Sequence, residues 1–350
     1  MELRSVSVQK NSANSAVDFL KFIFVFCIVS IHLPLFESVN KDLSFWFNQV
    51  VCRLAVPYFF LCSGFFAAGK TEDRLKFSAY LKRLVILYLF YTALFLPQIV
   101  YLAMQSDRSF GAEVLEFIRD FFLVGSYGPL WFYPALIGAM VLLWLLTSVC
   151  KLRRGALLAV TSVLYALGVC GNTYQAFFLG LSGVGSVLNG YLTVFETTRN
   201  VLFFGLFFLS VGYCLRKSAR SVPKKVSLPL FVLGFLLMFS EKAAAVYFVE
   251  TTENDMLFTL PLAVIPLFLF VCAIPGTEKQ QKVGVYLRKL TTVVFGIHTF
   301  IMFYLSFALK CLHLTVNGTV RYFLVSLLSA LFGVCVLQLS KRYKFFKLFY

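Results

Sequence analysis

Blocks of apolar residues, each about the 20 residues that carry an α-helix across roughly 30 Å of hydrocarbon, follow one another along almost the whole chain. They fall at 16–36, 49–69, 83–104, 129–149, 155–171, 199–215, 226–241, 256–273, 290–311 and 320–340. Within each block the apolar residues run on without the polar–apolar alternation of a membrane β-strand, which excludes an outer-membrane barrel. A soluble fold is excluded by composition. Only 14% of the 350 residues are charged and 60% are hydrophobic, with a mean hydropathy of +0.83. An average soluble domain carries about 25% charged residues. The fold class is therefore all-α: a polytopic integral membrane bundle of about ten transmembrane helices.

The placement of charge orients these helices. Most of the 32 Lys and Arg residues sit in 1–15, 70–83, 150–154, 216–225, 274–289 and 341–350, every second gap between blocks. Asp107, Glu113, Glu116, Asp120, Glu250, Glu253 and Asp255 occupy the opposite gaps. Positive charge resists translocation, so both ends are expected in the cytoplasm, with a tail at 1–15, the membrane domain at 16–340 and a basic tail at 341–350. The net charge of +16 is dispersed between helices and forms no surface stripe for nucleic acid. The nine cysteines are scattered singly, without metal-ligand spacing. The first block lacks an A-x-A-like cleavage site and nine more follow, so it is expected to be retained. Segments 105–128 and 172–198 are expected as outer loops, the glycines of 181–190 forming an outer loop or a short re-entrant turn. The basic run Arg216 to Lys225 serves orientation beside anionic lipid or grips an anionic ligand.

The first block, AVDFLKFIFVFCIVSIHLPLF, is broken by Asp18, Lys21 and His32. An ionisable side chain deep in a bilayer costs roughly 2.5–3.5 kcal/mol on insertion scales and so faces a cavity or a partner. At 100° per residue Lys21 and His32 lie within about 20° of each other, about 16 Å apart along the axis, and Asp18 lies about 60° from Lys21. One polar face implies a polar pocket inside the bundle, unless Asp18 and Lys21 merely pair at the cytoplasmic interface. His32 belongs to the outer third, where an imidazole can exchange protons near neutral pH. Glu37 follows five residues later, beyond Pro34. Arg53 near the outer end of the second block offers a donor fork to a carboxylate, an oxyanion or lipid phosphate. Glu196 and Arg199 flank the sixth block in FETTRN. His298, inside the ninth, is either a core histidine or a functional one.

Five pieces in order, DFLKFIFVFCIVSIH (18–32), RLAVPYFFLCSGFF (53–66), GPLWFYPALI (128–137), TRNVLFFGLFFLSVGY (199–213) and FGIHTF (295–300), resemble the acyltransferase family 3 proteins, membrane enzymes that acylate cell-envelope molecules. The most specific piece is the basic residue, ten intervening residues, then His, here Lys21 to His32. The resemblance implies transfer of an acyl group, often acetyl, from cytoplasmic acyl-CoA to an acceptor outside, such as a hydroxyl of an envelope polysaccharide. It makes His32 the general base and Lys21 a CoA contact. Lys82 and Arg83 would join Lys21 in binding the donor, and Arg53, Trp131, Glu196 and Arg199 would serve the acceptor. It implies no permanently bound cofactor, no metal and a place in the cell membrane of a bacterium. Many relatives carry an Arg-x-x-Arg pair at the third helix; in YLKRLVIL, Ile86 replaces the second Arg. An appended hydrolase-like domain, of the kind some relatives use to relay the acyl group, is not expected. The membrane part also resembles that fused to serine racemases of glycopeptide resistance, nearest in FETTRN. Two other functions stay open: an amino-acid or small-solute transporter, and a non-catalytic partner in envelope assembly.

Overall fold

The computed structural model describes residues 14–218, 222–249 and 255–350, all helix, turn or irregular chain with no strand among them. Arg4 and Lys10 of the tail, Arg220, Glu250 and Glu253 lie outside the described residues. In chain order the helices are α1 (Ser15–His32), α2 (Lys41–Trp46), α3 (Ala55–Ala67), α4 (Arg74–Ala103), α5 (Phe110–Leu123), α6 (Phe132–Trp144), α7 (Arg154–Cys170), α8 (Gln175–Leu179), α9 (Val184–Phe195), α10 (Leu206–Ser218), α11 (Lys224–Phe248), α12 (Leu260–Cys272), α13 (Glu278–Cys311) and α14 (Gly318–Leu339). Among the described residues, eight helical stretches are long and apolar enough to cross a membrane. The fifth and eighth expected spans fall on α7 and α12, two of the shorter apolar helices. Leu228, Val232, Leu236 and Phe239 of α11 are among the many large apolar side chains left exposed. Such a surface is compatible with lipid and not with water.

Several boundaries differ from the sequence expectation, each for a local reason. The first helix stops at His32 and not at 36, because Pro34 disfavours helical backbone in the residue before it; Leu33 caps the helix with φ −145°. The second span begins at Lys41, not 49, where the Asn40 side chain accepts from Leu43 N at 2.8 Å. It runs through a π-turn (Phe47–Val51) and a 3-10 turn (Cys52–Leu54) before α3. Pro57 lacks an N–H, so the Arg53 carbonyl has no helical donor four residues on. The third and ninth helices start early, at Asp73 and Thr277 caps, since their first turns are polar and extend beyond the hydrocarbon. Segments expected as outer loops carry helices: α5 in 105–128, and α8 and α9 in 172–198.

The chain divides into two compact units. The first comprises Met1–Cys62, Ser218–Ala243 and Leu257–Tyr350. Its centre is α1, packed against α12, α13 and α14. A Cβ on Gly284 of α13 would stand 3.0 Å from Ser15 Cα and 3.3 Å from Asp18 Oδ2, so a larger residue there would press on α1. Further along, the His32 and His298 rings meet at 5.4 Å between centroids. The step from Asp18 to His32 equals that from Gly284 to His298, about 21 Å along each axis. The two helices therefore run parallel and in register. Tyr322 of α14 donates its hydroxyl to Phe26 O at 3.3 Å, and the chain end turns back through a 3-10 turn at Lys344–Phe349 that buries Phe349.

The second unit comprises Ser63–Lys217 and Ala244–Met256. Here Gly64 of α3 touches the backbone of α10, where an added Cβ would fall 2.1 Å from Leu209 O. A π-turn at Val201–Gly205, capped by the Asn200 side chain on Leu202 N at 3.1 Å, leads into α10. Small residues at contacts let membrane helices approach backbone to backbone.

Candidate functional site

Two polar layers interrupt the apolar core of the first unit, one at each end of α1. At the start, Asp18 is wholly buried. A carboxylate taken out of water needs a cation with good geometry. Arg288 of α13 supplies it, donating Nε to Oδ1 at 2.9 Å and Nη2 to Oδ2 at 2.7 Å. The bidentate fork of Arg288 thus takes both carboxylate oxygens of Asp18. The Lys21 ammonium stands 5.7 Å from the centre of the Phe59 ring.

At the other end of α1, His32 is exposed and His298 is fully buried against it. His298 Nδ1 lies 2.7 Å from Phe295 O. A carbonyl oxygen only accepts, so Nδ1 carries the proton, and Nε2 of the neutral ring is an acceptor. That Nε2 is buried and has no hydrogen-bond partner among the described residues. Arg53, half-buried on the 3-10 turn before α3, lies within electrostatic range of His32 and donates Nη2 to Gln49 Oε1 at 3.2 Å. The π-turn that sets Arg53 here is itself tied to α1. Ser30 Oγ donates to Asn48 Oδ1 at 2.8 Å and accepts from Leu35 N at 3.2 Å, while Asn48 Nδ2 donates to Ser44 O at 2.8 Å. Lys21, His32 and Arg53 are thus held by one set of elements.

The other site residues belong to the second unit. Trp131, Glu196 and Arg199 line one cavity of about 340 Å³, with Gly128 and Asn200 in its wall. The Arg199 guanidinium lies 4.5 Å from the Trp131 ring and is ion-paired with Asp255. Glu196 is paired with Arg119, which also holds Asp120 at 2.7 Å and Glu116 at 3.5 Å. Glu196 adopts φ +58° at the end of α9, a left-handed conformation uncommon outside glycine. Gly125, at φ +122°, sits where a Cβ would meet Trp131 Cα at 2.4 Å. Lys82 and Arg83 stand exposed on α4, with Ile86 exposed one turn on.

Arg288 had no role assigned from the sequence, and nothing there distinguishes it from its basic neighbours. The signal for it was indirect, since a buried Asp18 requires a cation somewhere. Arg119 and Asp255 were visible only as loop charges.

An all-α chain with eight membrane-length helices among the described residues is a multi-pass membrane protein. The family of acyltransferase domains (acyltransferase family 3) matches residues 14–339, and the chain belongs to that family. It is similar to an amino-acid racemase of Enterococcus faecalis, 29% identical over 72% of this chain and 35% of that protein. A second amino-acid racemase of Enterococcus faecalis is 24% identical over 95% of this chain and 47% of its own length. A serine/alanine racemase of Enterococcus gallinarum is 23% identical over 95% of this chain and 47% of its own length. The chain therefore spans less than half the length of these curated relatives. No solved structure matches it significantly.

Proposed function

We propose that the chain is an O-acyltransferase of the bacterial plasma membrane, with both ends cytoplasmic. It moves an acyl group, acetyl in the first instance, from cytoplasmic acyl-CoA to a hydroxyl of an extracytoplasmic acceptor such as an envelope polysaccharide. The observation that carries this reading is the first helix, with Lys21 and His32 on one face about 16 Å apart and His32 exposed beside His298 and Arg53. Lys21 receives the donor from its cytoplasmic end, and Lys82 and Arg83 add positive charge for the CoA phosphates. His32 removes the acceptor proton as the oxygen attacks the thioester carbon. Base catalysis of this kind contributes about 10²–10⁴-fold. Arg53 faces the oxyanion, and Trp131, Glu196 and Arg199 hold the acceptor.

A second reading has its own support. The relatives are named as racemases of amino acids, and the cavity at Trp131 pairs cationic and anionic groups, as recognition of a zwitterion requires. In that reading the chain delivers a small solute across the membrane.

The two separate in liposomes holding purified protein. Labelled acetyl-CoA presented on one side should acylate an acceptor on the other, with turnover falling on acidification, because a protonated imidazole accepts nothing. His32→Gln should lose nearly all transfer while CoA still raises thermal stability. Turnover of His32→Gln within a few-fold of the parent ends the assignment of His32 as base. Counterflow of a labelled amino acid without CoA moves the transport reading ahead.

A further inference from the structure

The buried acceptor beside His32 has no use in the reading above, although a polar atom left unpaired in a core is costly. His298 is rigid: its ring is buried, and Nδ1–H is held by Phe295 O. Its Nε2 lone pair has no partner among the described residues. The neighbouring ring, His32, ends α1 and is exposed, with room to rotate about its Cβ–Cγ bond. The rings lie 5.4 Å apart between centroids at a 44° tilt, near enough for a ring N–H of His32 to be the donor that this lone pair lacks.

We propose that His298 is a positioning residue for His32, accepting the N–H of His32 on Nε2 and so fixing His32 in the tautomer whose outward nitrogen is an unprotonated base. This rests on the acyl-transfer reading. As the acceptor oxygen attacks the thioester carbon, its proton passes to the outward nitrogen of His32. The charge on the resulting imidazolium is then shared through its inner N–H with His298 Nε2. When the C–S bond breaks, that proton passes to the departing thiolate, releasing CoA–SH and the acyl ester. His298 keeps its own proton on Nδ1 throughout, so the pair returns to its starting state. A neutral imidazole here takes the place that a carboxylate holds behind the histidine of hydrolytic triads.

The test is ¹⁵N-histidine NMR of the whole protein in detergent, with kinetics on two variants. The parent should show His298 protonated on Nδ1 and His32 as a single tautomer. His298→Leu removes the acceptor at similar volume. It should leave His32 a mixture of tautomers and lower kcat roughly 10²-fold, toward the lower limit for base catalysis, with KM for acyl-CoA unchanged. His298→Gln restores an acceptor oxygen and should recover most of kcat. A parent protein whose His32 is already a tautomer mixture overturns the proposal, whatever the variants do. So does an equal loss of kcat in the Leu and Gln variants. If no acyl transfer is found in the parent, the acyl-transfer reading fails, while the tautomer spectrum still reports on the hydrogen bond.

Discussion

Replacing Arg288 by Leu should destabilise the protein far more than replacing Asp18 by Asn, although each change breaks the same ion pair. The asymmetry follows from burial. The Asp18 side chain is 1% exposed and that of Arg288 39%. Removing the arginine strands a carboxylate that neither water nor headgroups can reach, a change that costs about 3–5 kcal/mol in buried pairs. The open side of Arg288 admits some solvent, so the lower figure, about 3 kcal/mol, is expected, a factor near 10² in the unfolding constant. Asp18→Asn instead leaves an arginine long enough to extend its head to the interface, and an amide that still accepts one hydrogen bond. That should cost about 1–1.5 kcal/mol. The double variant should be no worse than Arg288→Leu alone, because the stranded charge is gone. Unfolding free energies in mixed micelles, followed by tryptophan fluorescence and far-UV circular dichroism, measure all three. A cost for Asp18→Asn equal to or above that of Arg288→Leu would refute the argument from burial.

Three further outcomes are expected. Lys21→Ala should abolish most of the thermal stabilisation given by CoA while Lys21→Arg keeps it; equal stabilisation of Lys21→Ala and the parent removes Lys21 from the donor site. Gly64→Ala pushes a methyl into the Leu209 backbone and should cost about 1–3 kcal/mol of unfolding free energy. Gly155→Ala, with nothing within 4 Å of the new Cβ on α7, should be neutral or stabilising, and a similar loss at both positions would exclude close helix approach as the cause. Single cysteines replacing Arg74, Leu152, Arg220 or Gln280 should label only from the cytoplasm, and those replacing Ala112 or Glu253 only from outside; labelling of position 220 from outside inverts the middle of the topology.

The helical class and the positions of the long spans were legible because membrane burial writes itself as uninterrupted apolar length. The shared face of Lys21 and His32 was legible too, since both lie inside one regular helix and angle follows from spacing alone. What stayed hidden depended on contacts between helices. Asp18 and Arg288 are separated by most of the chain, and nothing local distinguishes Arg288 from Lys282 or Lys289. His298 was visible as an intramembrane histidine, but its meeting with His32 depends on the parallel register of α1 and α13, which Gly284 sets from one end. The π-turn before Arg53 was equally invisible as a bulge, although Pro57 marked where the regular hydrogen bonding had to fail. Amphipathic α5 and α9 were missed because polar residues every third or fourth position, such as Glu113, Glu116 and Asp120, look like a loop when only hydropathy length is read.

The two short helices decide how the middle of the chain threads the membrane. With α7 and α12 both lying on one side, eight crossings would remain and the termini would still share a side. Only the segment between them would change sides. That segment carries Arg216, Lys217, Arg220, Lys224 and Lys225, which would then be translocated together, against the bias that governs loops this short. The opposing cost is one of length. At 1.5 Å per residue α12 rises about 20 Å, roughly 10 Å less than the hydrocarbon core, a mismatch worth a few kcal/mol at a fraction of a kcal/mol per Å. Met256 and Leu257, both buried ahead of α12, lengthen its apolar stretch and reduce that cost. For α7, at 17 residues, the shortfall is only about 5 Å. Five clustered cations outweigh both deficits, so we favour ten crossings, which put Arg216 and Lys217 on the side from which acyl-CoA is proposed to enter.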